Sequence, residues 1–175
     1  FGVEPSITGG LPWPDDSTLV YSPDGPYERA TEYTFSVGTA ATSAEGVPME
    51  EAFELTLRTV GYLEVSEVLP ADGSTAVDTD SVFTVIFNRP GIPLLTVEQM
   101  DTLPHPLAFD PPVQGEGEWL NTSIYLFRPT AELRGGTTYE VTVKAGLEDV
   151  TGGVLKDAFT WNFETLRPDV LNVDP

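Results

Sequence analysis

The sequence predicts an all-β fold, an antiparallel sandwich laid out as a tandem repeat, on three observations. Short stretches alternate apolar and polar residues with the period of two that a half-buried strand requires, as in "TTYEVTV" at 137–143. Glycine and proline, 16 of each, are spread between those stretches in turns such as "PADG", "NRPG", "ELRGG" and "DVTGG". The chain also repeats itself, since "YSPDGPYERATEYTFSV" at 21–37 has the construction of "FRPTAELRGGTTYEVTV" at 127–143.

The offset is 106 positions and holds without a gap from Pro5 to Thr59. Identical pairs are Pro5 and Pro111, Gly9 and Gly115, Trp13 and Trp119, Ser17 and Ser123, Pro23 and Pro129, Thr31 and Thr137. They continue with Tyr33 and Tyr139, Val37 and Val143, Gly46 and Gly152, Ala52 and Ala158, Phe53 and Phe159, Thr59 and Thr165. A period this long is one whole domain and not a solenoid turn. Residues 61–166 therefore read as a complete unit and residues 1–60 as the C-terminal half of a preceding one. Residues 167–175, "RPDVLNVDP", echo the unit's opening "YLEVSEVLP" and read as the first strand of a following unit.

Within the complete unit the pattern places strands at roughly 63–69, 81–88, 107–113, 118–120, 123–128, 137–144 and 157–165. The two copies settle which side chains face inward. Tyr139, Val141 and Val143 alternate with polar neighbours, as Tyr33, Phe35 and Val37 do. Phe159, Trp161 and Phe163 match Phe53, Leu55 and Leu57, while Phe83, Val85 and Phe87 alternate within "VFTVIF". "IYLF" is resolved by its partner "TLVY", whose polar Thr18 turns Tyr125 and Phe127 inward. About seven short strands in about 100 residues indicate an immunoglobulin-like antiparallel β-sandwich. One helical turn is expected at "TVEQM", where Thr96 and Gln99 have capping-box spacing.

The net charge of −20, from 28 acidic and 8 basic residues, repels nucleic acid and anionic membranes, so no nucleic-acid partner is expected. The absence of cysteine excludes disulfides, zinc–thiolate sites and cysteine nucleophiles. No apolar run reaches the 18 residues of a spanning helix. The opening "FGVEPSITGG" lacks the charged start and apolar core of a signal peptide, so an export signal would lie upstream.

Residues that could carry chemistry are few. His105 is the single histidine, held between prolines in "LPHPL", with no Gly-x-Ser-x-Gly elbow to serve. One histidine cannot make a His-Glu-x-x-His site. In "DGSTAVDTD", Asp72, Asp78 and Asp80 are candidate calcium ligands, although without EF-hand spacing. Trp13 and Trp119, at one site in both copies, are candidates for carbohydrate stacking or for contact between domains. "NTS" at 121–123 has the pattern of a glycosylation sequon. No catalytic constellation and no cofactor site emerges, and the stretch reads as a non-enzyme.

The run "VSEVLPADGSTAVDTDSVFTVIFNRP", followed by "WLNTSIYLFRPTAELRGGTTYEVTVKAGLEDVTGGVLKDAFTWNFET", resembles a family of bacterial Ig-like domains. "TVGYLEVSEVLPADG" and "GEWLNTSIY" further resemble the N-terminal arrays of bacterial alpha-2-macroglobulin-like proteins. That resemblance implies a scaffold or docking module in an exported, envelope-associated protease inhibitor. Its parent would be periplasmic or at the cell surface, with a lipid anchor among the options. It would meet proteases only through the full-length protein. Family members with a thioester carry it on a Cys-x-Glu-Gln motif, which this sequence lacks, and no bait residue is assigned; "RPGIPLLTVEQMDTLPHP" is a long crossover. The alternative is a cell-surface adhesin or carbohydrate-binding Ig-like module.

The half unit has a physical consequence. Four or five core side chains left uncovered forfeit on the order of 10 kcal/mol, at about 2 kcal/mol each. That is the net stability of a typical domain, and the bared sheet edge is prone to pairing. The half unit is therefore expected to be covered, by neighbouring domains of the polypeptide or by strand exchange with another copy, for which the tail "DVLNVDP" is a candidate strand.

Overall fold

The computed structural model describes residues 1–93 and 103–168. The expected helical turn at Thr96–Met100 lies outside those residues, as does all but Arg167 and Pro168 of the strand expected over 167–175. Every regular element among the described residues is a strand, which makes the fold all-β. The chain divides into two compact units, Phe1–Gly61 and Tyr62–Pro175.

The second unit contains two four-stranded sheets. One has the order β10 (Gly115–Trp119), β11 (Ile124–Pro129), β8 (Phe83–Phe87), β6 (Val65–Leu69), all antiparallel. The other has the order β7 (Ser74–Val77), β13 (Phe159–Thr165), β12 (Thr138–Val143), β9 (Leu107–Asp110). In the second sheet β9, β12 and β13 are antiparallel, while β7 runs parallel to β13 along its outer edge. Alternation in β8 and β12 buries Phe83, Val85 and Phe87 from one sheet and Tyr139, Val141 and Val143 from the other. With Trp161, Phe163, Tyr125, Val68 and Leu63 they form one core between the sheets. That is the sandwich the sequence predicts.

One strand was missed by pattern. β7 falls inside the stretch read as a turn and a cation loop. Its four residues do not alternate, Ala76 has a left-handed φ of 56°, and its register with β13 shifts between Phe163 and Thr165. A bulged edge strand of this kind carries no period-two signal.

The first unit repeats the later part of this architecture. Its sheet has the order β1 (Gly2–Glu4), β4 (Glu32–Val37), β5 (Phe53–Arg58), and a small ladder joins β2 (Gly9–Gly10) to β3 (Ser22–Pro23). The registers coincide at the offset of 106: Tyr33 faces Leu57 as Tyr139 faces Phe163, and Gly9 faces Pro23 as Gly115 faces Pro129. The loops coincide too. Gly46 N–H donates to Ser43 O at 2.9 Å, as Gly152 N–H does to Asp149 O at 3.0 Å. In the second copy the turn is closed from within, because the buried Asp149 carboxylate accepts from Thr151 and Gly153 N–H at 2.7 and 2.9 Å.

One expectation needs correcting for the first copy. Phe53, Leu55 and Leu57 occupy the inward positions of β5 but are exposed, at 55%, 44% and 50%. Among the described residues of the first unit no counterpart of β6, β7 or β8 exists to cover them.

Candidate functional site

The residues singled out by sequence separate in space. Asp72 is engaged by the sheet: its Oδ1 accepts the backbone N–H of Asn162 at 2.9 Å, and Gly73 N–H donates to Asn162 O at 2.8 Å. The aspartate thus anchors the start of β7 to β13. Among the described residues no three His, Cys, Asp or Glu side chains converge as cation ligands, so Asp72, Asp78 and Asp80 are not gathered into one site.

Trp119 is 5% exposed. Its indole stacks on Phe87 with centroids 5.6 Å apart and meets Tyr125 edge-on at 5.3 Å. Its Nε1–H donates to Pro104 O at 3.1 Å. The indole lies in the interior and not at the surface, which corrects the reading of Trp119 as a sugar platform. Trp13, its counterpart, is 64% exposed.

His105 belongs to the same structural cluster. Its Nδ1 lies 3.0 Å from the hydroxyl of Tyr125, whose ring is buried. Burial pushes the Tyr125 phenol up to about 12, so it stays protonated through the physiological range. The segment Leu103–His105 therefore serves as a cover over Trp119 and Tyr125, tied down by a backbone carbonyl and a ring nitrogen. Rigid prolines on either side of the histidine suit that role.

Beside this cover is a shallow groove of about 450 Å³ lined by His105, Gly115, Glu116, Gly117, Tyr125 and Phe127. It exists because β10 carries glycines where β11 carries aromatics. A Cβ on Gly117 would collide with the Tyr125 hydroxyl, and one on Gly115 with the Phe127 ring. The first copy keeps half of the device, with Gly9 lying under Tyr21. What the groove offers is a neutral phenol, an imidazole bonded to it and one carboxylate.

Residues 60–165 match the sequence model for the bacterial Ig-like domain family. The chain belongs to that family. No curated protein matches the chain. Among solved structures it is similar to an L,D-transpeptidase from Mycobacterium smegmatis, with 20% identity and a TM-score of 0.41 over 59% of this chain and 40% of that one. It is likewise similar to an L,D-transpeptidase from Mycobacterium tuberculosis H37Rv, with 17% identity and a TM-score of 0.38 over 58% of this chain and 39% of that one. The chain thus spans about two fifths of the length of these structures. The bacterial Ig-like domain closes with the β13 strand at Thr165, whose hydroxyl donates to Arg134 O at 2.6 Å.

Proposed function

We propose that this bacterial Ig-like chain is a non-catalytic structural and docking module of an exported bacterial alpha-2-macroglobulin-like protease inhibitor. The observation that carries the modular part is the repeat: the registers of β1–β4–β5 and β9–β12–β13 coincide pair for pair. A polypeptide built this way is a spacer whose units meet neighbouring domains, and proteases are engaged only through the full-length protein. The inhibitor part is supported by the wording of "TVGYLEVSEVLPADG" and "GEWLNTSIY". Export to the envelope accords with family membership and with an acidic, cysteine-free chain.

The test compares the full-length parent with this chain at equal concentration, against a general protease acting on a large protein substrate. The reading expects inhibition by the parent and none by the chain alone; a parent that leaves the protease fully active overturns it. The alternative, an adhesin or carbohydrate-binding module, rests on Trp13, whose exposed indole is open to a sugar ring. A glycan panel that leaves Trp13 emission unchanged removes that alternative.

A further inference from the structure

Unit 1 displays the inner face of a sandwich, and unit 2 shows what such a face is built to meet. At the offset of 106, exposed Leu55 and Leu57 correspond to Trp161 and Phe163, which are 0% and 1% exposed. Phe53 corresponds to Phe159, which packs on the core. Trp13, on the loop after β2, corresponds to the buried Trp119. In the second unit this side is covered by Val68, Phe83, Val85 and Phe87 of β6 and β8. The strand edge is also open. Asn162 of β13 and Leu166 just beyond its end bond outward to Gly73 and Val77 at 2.8 Å each, whereas β5 is the terminal strand of its sheet.

We propose that the β5 face of the first unit, with the β5 edge and Trp13, is a docking surface for the first half of another repeat of this type, β4 being already covered within the unit, where Tyr27 packs on Tyr33 and Phe35. The occupant is a strand pair with the chemistry of β6–β8 whose intervening strand runs parallel to β5. One contiguous segment, residues 62–93 in the second unit, covers both the face and the edge there. A second copy of the bare face, laid against the first, would cover the apolar side chains but leave β5 unpaired. It would also bring together two chains of net charge −20. Trp13 is by this account an interior residue awaiting its cover. The inference concerns the repeat itself and stands whatever parent protein carries it.

The experiment extends the full chain by a copy of its own residues 62–106 joined ahead of Phe1, which keeps the offset of 106. Trp119 and Trp161 are buried, so the quenchable emission belongs to Trp13. In the extended chain that emission shifts to the blue and acrylamide quenching falls several-fold. A second extended chain carries Asp in the appended segment at its copies of Phe83 and Val85; there the protection is lost while unit 2 still melts normally. An extension that leaves Trp13 as quenchable as before overturns the proposal. So does an unextended chain that sediments as a dimer with Trp13 protected, since the occupant is then a second copy.

Discussion

The hydroxyl of Tyr139 accepts the backbone N–H of Arg134 at 3.0 Å, five residues upstream across the turn that leads into β12. Tyr33 does the same for Glu28 at 3.1 Å. Thr165 and Thr59 complete the corner from the neighbouring strand, each accepting an N–H (Thr137 at 3.0 Å, Thr31 at 2.9 Å) and donating to a carbonyl at 2.6 Å. A tyrosine corner thus locks the same turn in both units. Tyr139→Phe keeps the ring and strands the Arg134 N–H, so the second unit should lose about 1–2 kcal/mol. Urea unfolding followed by Trp161 fluorescence reads that loss, and an unchanged midpoint would falsify the role given to the hydroxyl.

Gly117→Ala tests the glycine that admits Tyr125. The new methyl meets a phenol that is buried and bonded to His105, so the ring cannot swing aside freely. Overpacking of this kind costs about 1–3 kcal/mol. The expected outcome is a lower melting temperature for the second unit, partly restored when Tyr125→Phe is added, because the oxygen is removed while Cζ stays 2.6 Å from the new methyl position. A double variant no more stable than Gly117→Ala alone would contradict that geometry.

Alkaline stability should report on the same phenol. Burial raises Tyr125 from its ordinary 10.0 to about 12, so the folded state holds its proton more tightly than the unfolded chain. Its contribution is therefore complete below about pH 10 and is lost as pH rises through the window from 10 to 12. Denaturation midpoints measured across that window should fall more steeply for the native chain than for Tyr125→Phe. Parallel slopes would count against it.

Backbone conformation separates the copies at one turn. Ala30 has a φ of 55°, where the second unit places Gly136 at 61°. A left-handed alanine carries a penalty of roughly 1–2 kcal/mol that glycine escapes, offset in part by glycine's greater unfolded entropy. Ala30→Gly should then stabilise the first unit slightly, and Gly136→Ala should weaken the second. Calorimetry on the two variants gives opposite signs if this is right, and equal signs if it is not.

Fold class, the offset of 106 and the inward face of β8, β12 and β13 were all legible in the sequence. Each depends only on side-chain alternation read twice, and strand geometry makes that alternation local. β7 was not legible, because a bulged parallel edge strand is defined by its partner β13 and not by its own residues. Asp72, one of three candidate calcium ligands in the sequence, could be recognised as an anchor only after Asn162, 90 positions away, was brought beside it.

Trp13 and Trp119 mark the boundary between the two kinds of knowledge. Their identity and equivalence are properties of the chain alone, fixed by the repeat. That one is 64% exposed and the other 5% was decided by which strands lie opposite. The physical reason is that alternation states which side of a strand is apolar, whereas burial requires a second surface, and only the three-dimensional assembly supplies it.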